Sequence, residues 1–148
     1  MAERGRAGRL PPAEWYPAHD PVVRARMLRL PSGLAVRVAE AGPADGAPVV
    51  LVHGWACSVY SFRFQLPALA AAGYRAVAFD LKGHGLTDKP TAAAEYTVPA
   101  MRDFAVAVLD ALGVGRAAFV GHSLGGGVAA QVALHEPARV TQLAAISS

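Results

Sequence analysis

Cysteine is almost absent from this 148-residue chain, with Cys57 its single example. An internal disulfide and a thiolate metal cluster are both excluded, and Cys57 reads as a small packed residue. Long hydrophobic runs are absent as well. No uninterrupted apolar stretch approaches the roughly 18 residues that would suggest a membrane span, so none is expected. The first 20 residues, MAERGRAGRLPPAEWYPAHD, lack the apolar stretch of a secretory signal and the Ser enrichment of a transit segment. The expected compartment is cytoplasmic. Charged side chains make up only 17% of the residues, no Asp follows Asp110 and no His follows His135.

What is present is a chain that is 53% hydrophobic, enough for one globular core. At this length folding buries roughly 68–70% of the unfolded chain's surface. The net charge of +3 is unevenly placed. Residues 1–37 hold seven Arg against Glu3, Glu14 and Asp20, whereas residues 38–148 balance seven basic with eight acidic groups. The early arginines are interleaved with Pro, Gly and Ala rather than set along a helix or among aromatics, so a nucleic-acid partner is not expected.

Residues 1–21, with Pro11, Pro12, Pro17 and Pro21, suit an irregular basic arm. Residues 22–148 read as one α/β unit. Val22 to Leu30 and Leu34 to Glu40 flank Pro31-Ser32-Gly33, the pattern of an antiparallel hairpin. From Val49 the rhythm becomes buried strand, Gly-containing turn and helix, repeated. Val49-Val50-Leu51-Val52 is a continuous apolar run, as expected of a strand covered on both faces. Ser58 to Ala72 is helix-like, with Pro67 expected to end or kink it. Tyr74 to Phe79 is the next strand. Val98, Met101, Ala105, Val108, Leu109 and Leu112 line one face of a helix, and Gly113 follows as a C-cap. A strand over Ala117 to Val120, a helix over Leu124 to His135 and a last strand over Val140 to Ile146 complete the pattern. The expected fold is therefore α/β: a mostly parallel sheet with an N-terminal antiparallel hairpin, of which this chain is expected to carry about six strands before it is cut short.

In such sheets the chemistry sits at the carboxyl ends of the strands, and three polar, Gly-rich turns fall there: His53-Gly54-Trp55, Asp80 to Gly85, and Gly121-His122-Ser123-Leu124-Gly125. The last is a G-x-S-x-G between an apolar strand and a small-residue helix, which presents a serine on a strained turn. Gly121 and Gly125 flank Ser123 where side chains would collide. The amide of Leu124 lies at the helix N-terminus, where unpaired N–H groups favour negative charge. A second donor for an oxyanion is the amide of Trp55, brought close by Gly54.

The segments LVHGWACS, AFDLKGHGLTDKP and FVGHSLGGGVAAQVA resemble the α/β-hydrolase fold family, in its serine-nucleophile branch with a His-Gly oxyanion loop. The resemblance covers the N-terminal portion of that fold, from about residue 26 to Ser148. It implies Ser123 as the nucleophile, Trp55 and Leu124 as oxyanion amides, and His53, Gly54, Asp80, His84, Gly121, His122 and Gly125 as residues of the rim or of the turn geometry. It also implies a triad in the chain order Ser, Asp or Glu, His, so the acid and the base are expected beyond Ser148. The implied function is cleavage of a carboxylic ester or related acyl bond through a Ser123 acyl-enzyme, with a small acyl substrate, no metal and no cofactor. A serine at 123 argues against the carboxylate attack of dehalogenases and epoxide hydrolases.

Plainer readings stand beside these. His53 reads as a loop brace. His122 reads as packing, pointed away from the turn, and His84 as a rim residue that substitutes for a base only if its loop reaches Ser123. Asp80 precedes the serine and reads as a brace for the neighbouring Gly turn. Two other functions compete: a non-catalytic hydrolase-like module that binds a small molecule or a partner, and dinucleotide binding through Gly121, Gly125 and Gly127. The second lacks the acidic residue about 20 positions on that would hold a ribose. Finally, the last strand is expected to be an exposed apolar edge through which copies of the chain associate.

Overall fold

The structure, a computed structural model, describes residues 16–18 and 20–148. The expected arm at 1–21 therefore falls mostly outside the described residues. Its described end is tied to the fold: the Asp20 carboxylate accepts hydrogen bonds from the amides of Val22 and Val23, and the Tyr16 carbonyl accepts one from Arg37.

Six strands form one sheet in the order β1-β2-β4-β3-β5-β6. They are β1 (Arg24–Arg29), β2 (Ala35–Ala41), β3 (Pro48–Val52), β4 (Arg75–Phe79), β5 (Ala117–His122) and β6 (Val140–Ile146). The hairpin β1–β2 is antiparallel, β2 runs antiparallel to β4, and β4, β3, β5 and β6 are mutually parallel. Alternation of side chains explains why β3 needs an unbroken apolar run. Val50 and Val52 enter one core with Val36, Val77, Phe79 and Phe119, while Val49 and Leu51 enter a second with Ala39, Ala76 and Ala78 on the opposite face.

Helices cover these faces unequally. The first core is closed by α2 (Val98–Ala111) and α3 (Leu124–His135), through Met101, Phe104, Val108, Val128 and Val132. The second is closed by a 3₁₀ turn (Val59–Phe62) and the short helix α1 (Gln65–Ala71), through Val59, Phe62 and Leu66.

The ends of α2 follow from its sequence. Thr97 caps the start, its hydroxyl accepting from the Ala100 amide at 3.3 Å. At the other end Gly113 takes φ +68°, which lets the Val114 amide reach back to the Leu109 carbonyl at 2.9 Å.

Pro67 behaves differently from the expectation. The helix-like stretch breaks before it, between the 3₁₀ turn and α1, and Pro67 lies inside α1 as its third residue. In the first turn of a helix the missing amide hydrogen has no intrahelical partner to lose, so proline is tolerated there. The Ala117 to Val120 strand also runs two residues further, through Gly121 and His122 to the edge of Ser123.

Candidate active site

The parallel register brings three strand ends together. Val52 pairs with Phe79 on one side and with Gly121 on the other, so His53, Asp80 and His122 follow side by side at one edge of the sheet. The three Gly-rich turns picked out in the sequence thus converge.

Ser123 sits between β5 and α3 with φ 52° and ψ −119°, in the positive-φ region that non-glycine residues rarely occupy. Such a conformation costs of order 1–3 kcal/mol and persists only where the surroundings over-determine it. Here they do. The Ser123 amide donates to the Ile146 carbonyl at 2.9 Å, and its carbonyl accepts from the Gly126 and Gly127 amides at 2.9 and 3.2 Å. Gly125 has no room for a side chain, since a Cβ there would run into the carbonyl oxygens of Val52 and His53; one on Gly121 would strike the backbone of Gly125 and Gly126. The helix therefore starts directly against the end of β3.

Gly54 completes the contact from the other side. A Cβ on it would lie 3.2 Å from the Ser123 Cβ and 2.9 Å from Nδ1 of His122. The His122 ring accordingly lies against the 53–55 turn. The amides of Trp55 and Leu124 donate no hydrogen bond among the described residues. Trp55 is 73% exposed, and Ala56 beside it has φ +57°. The Ser123 hydroxyl likewise has no hydrogen-bond partner among the described residues, and no histidine is placed against it as a base.

His53 is fully buried and braces the turn. Its Nε2 accepts from the Leu81 amide at 2.9 Å, which assigns the proton to Nδ1, 2.8 Å from the Gly54 carbonyl. Burial pushes its pKa down to about 4, against the opposing effects of the Gly54 hydrogen bond and the Asp80 charge. His84 stacks edge-on against both His53 and Trp55, with ring centroids 5.3 and 5.2 Å apart, and its Nδ1 lies 3.1 Å from the Lys82 carbonyl.

Asp80 is fully buried. Its carboxylate accepts from Arg37 Nε at 2.6 Å, from the Val59 amide at 2.8 Å and from the Leu86 amide at 2.8 Å. Gly85 must be glycine, because a Cβ would collide with that carboxylate. Sequence reasoning missed Arg37, a cation in the middle of an apolar strand whose burial demands an acidic partner. It also missed Tyr96, whose ring packs on Gly83 and whose hydroxyl donates to the Pro90 carbonyl at 2.6 Å. With Trp55, Ala56, Gly83 and His84, Tyr96 lines a cleft of about 330 Å³ beside the turn. Among the described residues no group of three or more His, Cys, Asp or Glu side chains is placed to hold a metal ion, and no helix is long and apolar enough to cross a membrane.

Known proteins resemble this chain in sequence and fold. The family model for the alpha/beta hydrolase fold matches residues 47–148. Bifunctional epoxide hydrolase 2 of Sus scrofa is 37% identical over 116 residues, which are 78% of this chain and 20% of that protein. Epoxide hydrolase A of Mycobacterium tuberculosis is 39% identical over 116 residues, 78% of this chain and 36% of its own length. Among solved structures, epoxide hydrolase VrEH1 from Vigna radiata superposes with a TM-score of 0.80 at 35% identity, covering 85% of this chain and 38% of that one. The chain thus spans about a fifth to two fifths of the length of the curated relatives it matches. With its nucleophile-type turn, its mixed sheet and a family match over more than half its residues, the chain belongs to the α/β-hydrolase fold family.

Proposed function

We propose that this chain carries the nucleophile half of a hydrolase that cleaves a carboxylic ester or related acyl bond through a Ser123 acyl-enzyme. The observation that carries the reading is the Ser123 turn: a strained serine flanked by the unpartnered Trp55 and Leu124 amides. Attack of the Ser123 oxygen on an acyl carbon would place negative charge on the carbonyl oxygen, and two amides from separate turns would receive it. Turnover by this route also needs a proton acceptor for the Ser123 hydroxyl and an acid to orient it, and no such pair is placed against Ser123 among the described residues. The cleft of about 330 Å³ at Trp55, His84 and Tyr96 is at the small end of the roughly 300–1,000 Å³ typical of ligand sites, which favours a compact substrate group.

A second reading is epoxide hydrolysis, favoured by the names of the relatives. Chemistry at residue 123 weighs against it. A carboxylate that opens an epoxide forms an ester, which water can then hydrolyse at its carbonyl carbon. A serine oxygen would form an ether, which has no carbonyl for water to attack and so traps the enzyme.

A fluorophosphonate probe tests the first reading, with slow labelling expected at Ser123, whose hydroxyl has no base against it among the described residues, and none in Ser123→Ala. A folded chain that resists the probe while converting styrene oxide to its diol would favour the second. A folded chain that does neither would favour a binding module without turnover.

A further inference from the structure

The loop that carries the Trp55 amide is held at two points, and both anchors belong to consecutive residues at the end of β4. At its start, Nε2 of His53 accepts from the Leu81 amide at 2.9 Å; at its end, the Val59 amide donates to the Asp80 carboxylate at 2.8 Å. Between them lies Ala56 at φ +57°. The only backbone hydrogen bond inside that stretch is a long one, from the Cys57 amide to the Gly54 carbonyl at 3.2 Å. A strained alanine held by one weak internal bond relaxes unless its flanks are fixed. Asp80 is itself fixed, with Arg37 at 2.6 Å and the Leu86 amide on the same oxygen, and with the Thr87 hydroxyl donating to its backbone carbonyl at 2.8 Å.

We propose that Asp80 is a positioning residue for the candidate oxyanion site, clamping the far end of the 53–59 loop so that strained Ala56 presents the Trp55 amide toward Ser123. Its kinetic consequence rests on the acyl-transfer reading, whereas its structural consequence does not. Loss of a single oxyanion donor slows acyl transfer about 10²–10³-fold, so partial misplacement of one is expected to slow Ser123 labelling at least about tenfold.

The test uses the full chain with Trp15→Phe, so that 5-fluorotryptophan reports on Trp55 alone, and compares Asp80→Asn with Val108→Ala. Val108 is buried in the core on the helix α2 side, and its truncation lowers stability without touching the loop. The expected result is a shifted or broadened ¹⁹F line and at least tenfold slower fluorophosphonate labelling in Asp80→Asn. In Val108→Ala the line stays in place and the labelling rate stays within about twofold. Equal effects of the two variants, or an unmoved line in folded Asp80→Asn, would overturn the proposal. If Asp80→Asn alone does not fold, Arg37→Met combined with it removes the buried cation that faces residue 80, and the same comparison is read from the double variant. Should the unaltered protein resist labelling, the acyl-transfer reading falls while the ¹⁹F comparison still decides the role of Asp80.

Discussion

Strands β4 and β6 are both short, apolar and parallel to their neighbours, yet they live in different surroundings. Every residue of β4 from Ala76 to Phe79 is buried, between β2 and β3 and under helices on both faces. In β6 only Val140 is partly covered, and the six residues that follow are exposed, with Leu143 at 41% and Ile146 at 51%. The sequence pattern of a buried strand therefore reports membership in a sheet. It does not report how much of the protein lies on top of it. The candidate site spans this contrast: the Asp80 and His53 side is closed and cross-braced, whereas the Ser123 side leans on the Ile146 carbonyl of the open edge.

The contrast should be largest in truncation energetics. Phe79→Ala in β4 is expected to cost about 3–5 kcal/mol, and Leu143→Ala in β6 less than about 0.5 kcal/mol, read from urea denaturation. Equal costs would mean that β6 is covered in solution.

Acid should attack the closed side next. Above pH 6.5 His53 is neutral in both the folded and unfolded chain and adds no pH dependence. Between 6.5 and its folded value of about 4, the unfolded chain takes up a proton that the buried ring refuses, so stability falls as the pH drops. The total loss is about 3 kcal/mol from a shift of this size. His53→Gln, which keeps an acceptor for the Leu81 amide, should flatten that slope; an unchanged slope would assign it to another group.

The smallest effect on stability belongs to the open side. Leu143→Lys should change the denaturation midpoint little while reducing association between copies of the chain, measured by sedimentation velocity over a concentration series. Association unaffected by the lysine would remove β6 as its cause.

Much of this was legible in the residues because local chemistry specified it. Gly113 marks the end of α2, and the Gly121 to Gly125 turn forces a strand to become a helix within a few residues. Positions whose meaning depends on distant partners were harder to read. Arg37 looks like a solvated charge until Asp80 is folded against it from 43 residues away. Which surface the His122 ring packs on depends on Gly54, 68 residues earlier in the chain, whose missing side chain leaves room for it. Pro67 was weighed as a breaker because its place within the helix depends on where the preceding 3₁₀ turn stops.

The backbone at residue 123 has a consequence for how this scaffold changes chemistry. The strain, the Gly121 and Gly125 contacts and the backbone hydrogen bonds of Ser123 all act on main-chain atoms, and none of them reads the side chain beyond its Cβ. The turn is a socket that fixes an address while leaving the reagent open. Exchanging one reactive side chain for another at this position alters which bonds can be broken without asking the surrounding architecture to be rebuilt, so reaction type can diverge between close relatives faster than shape does.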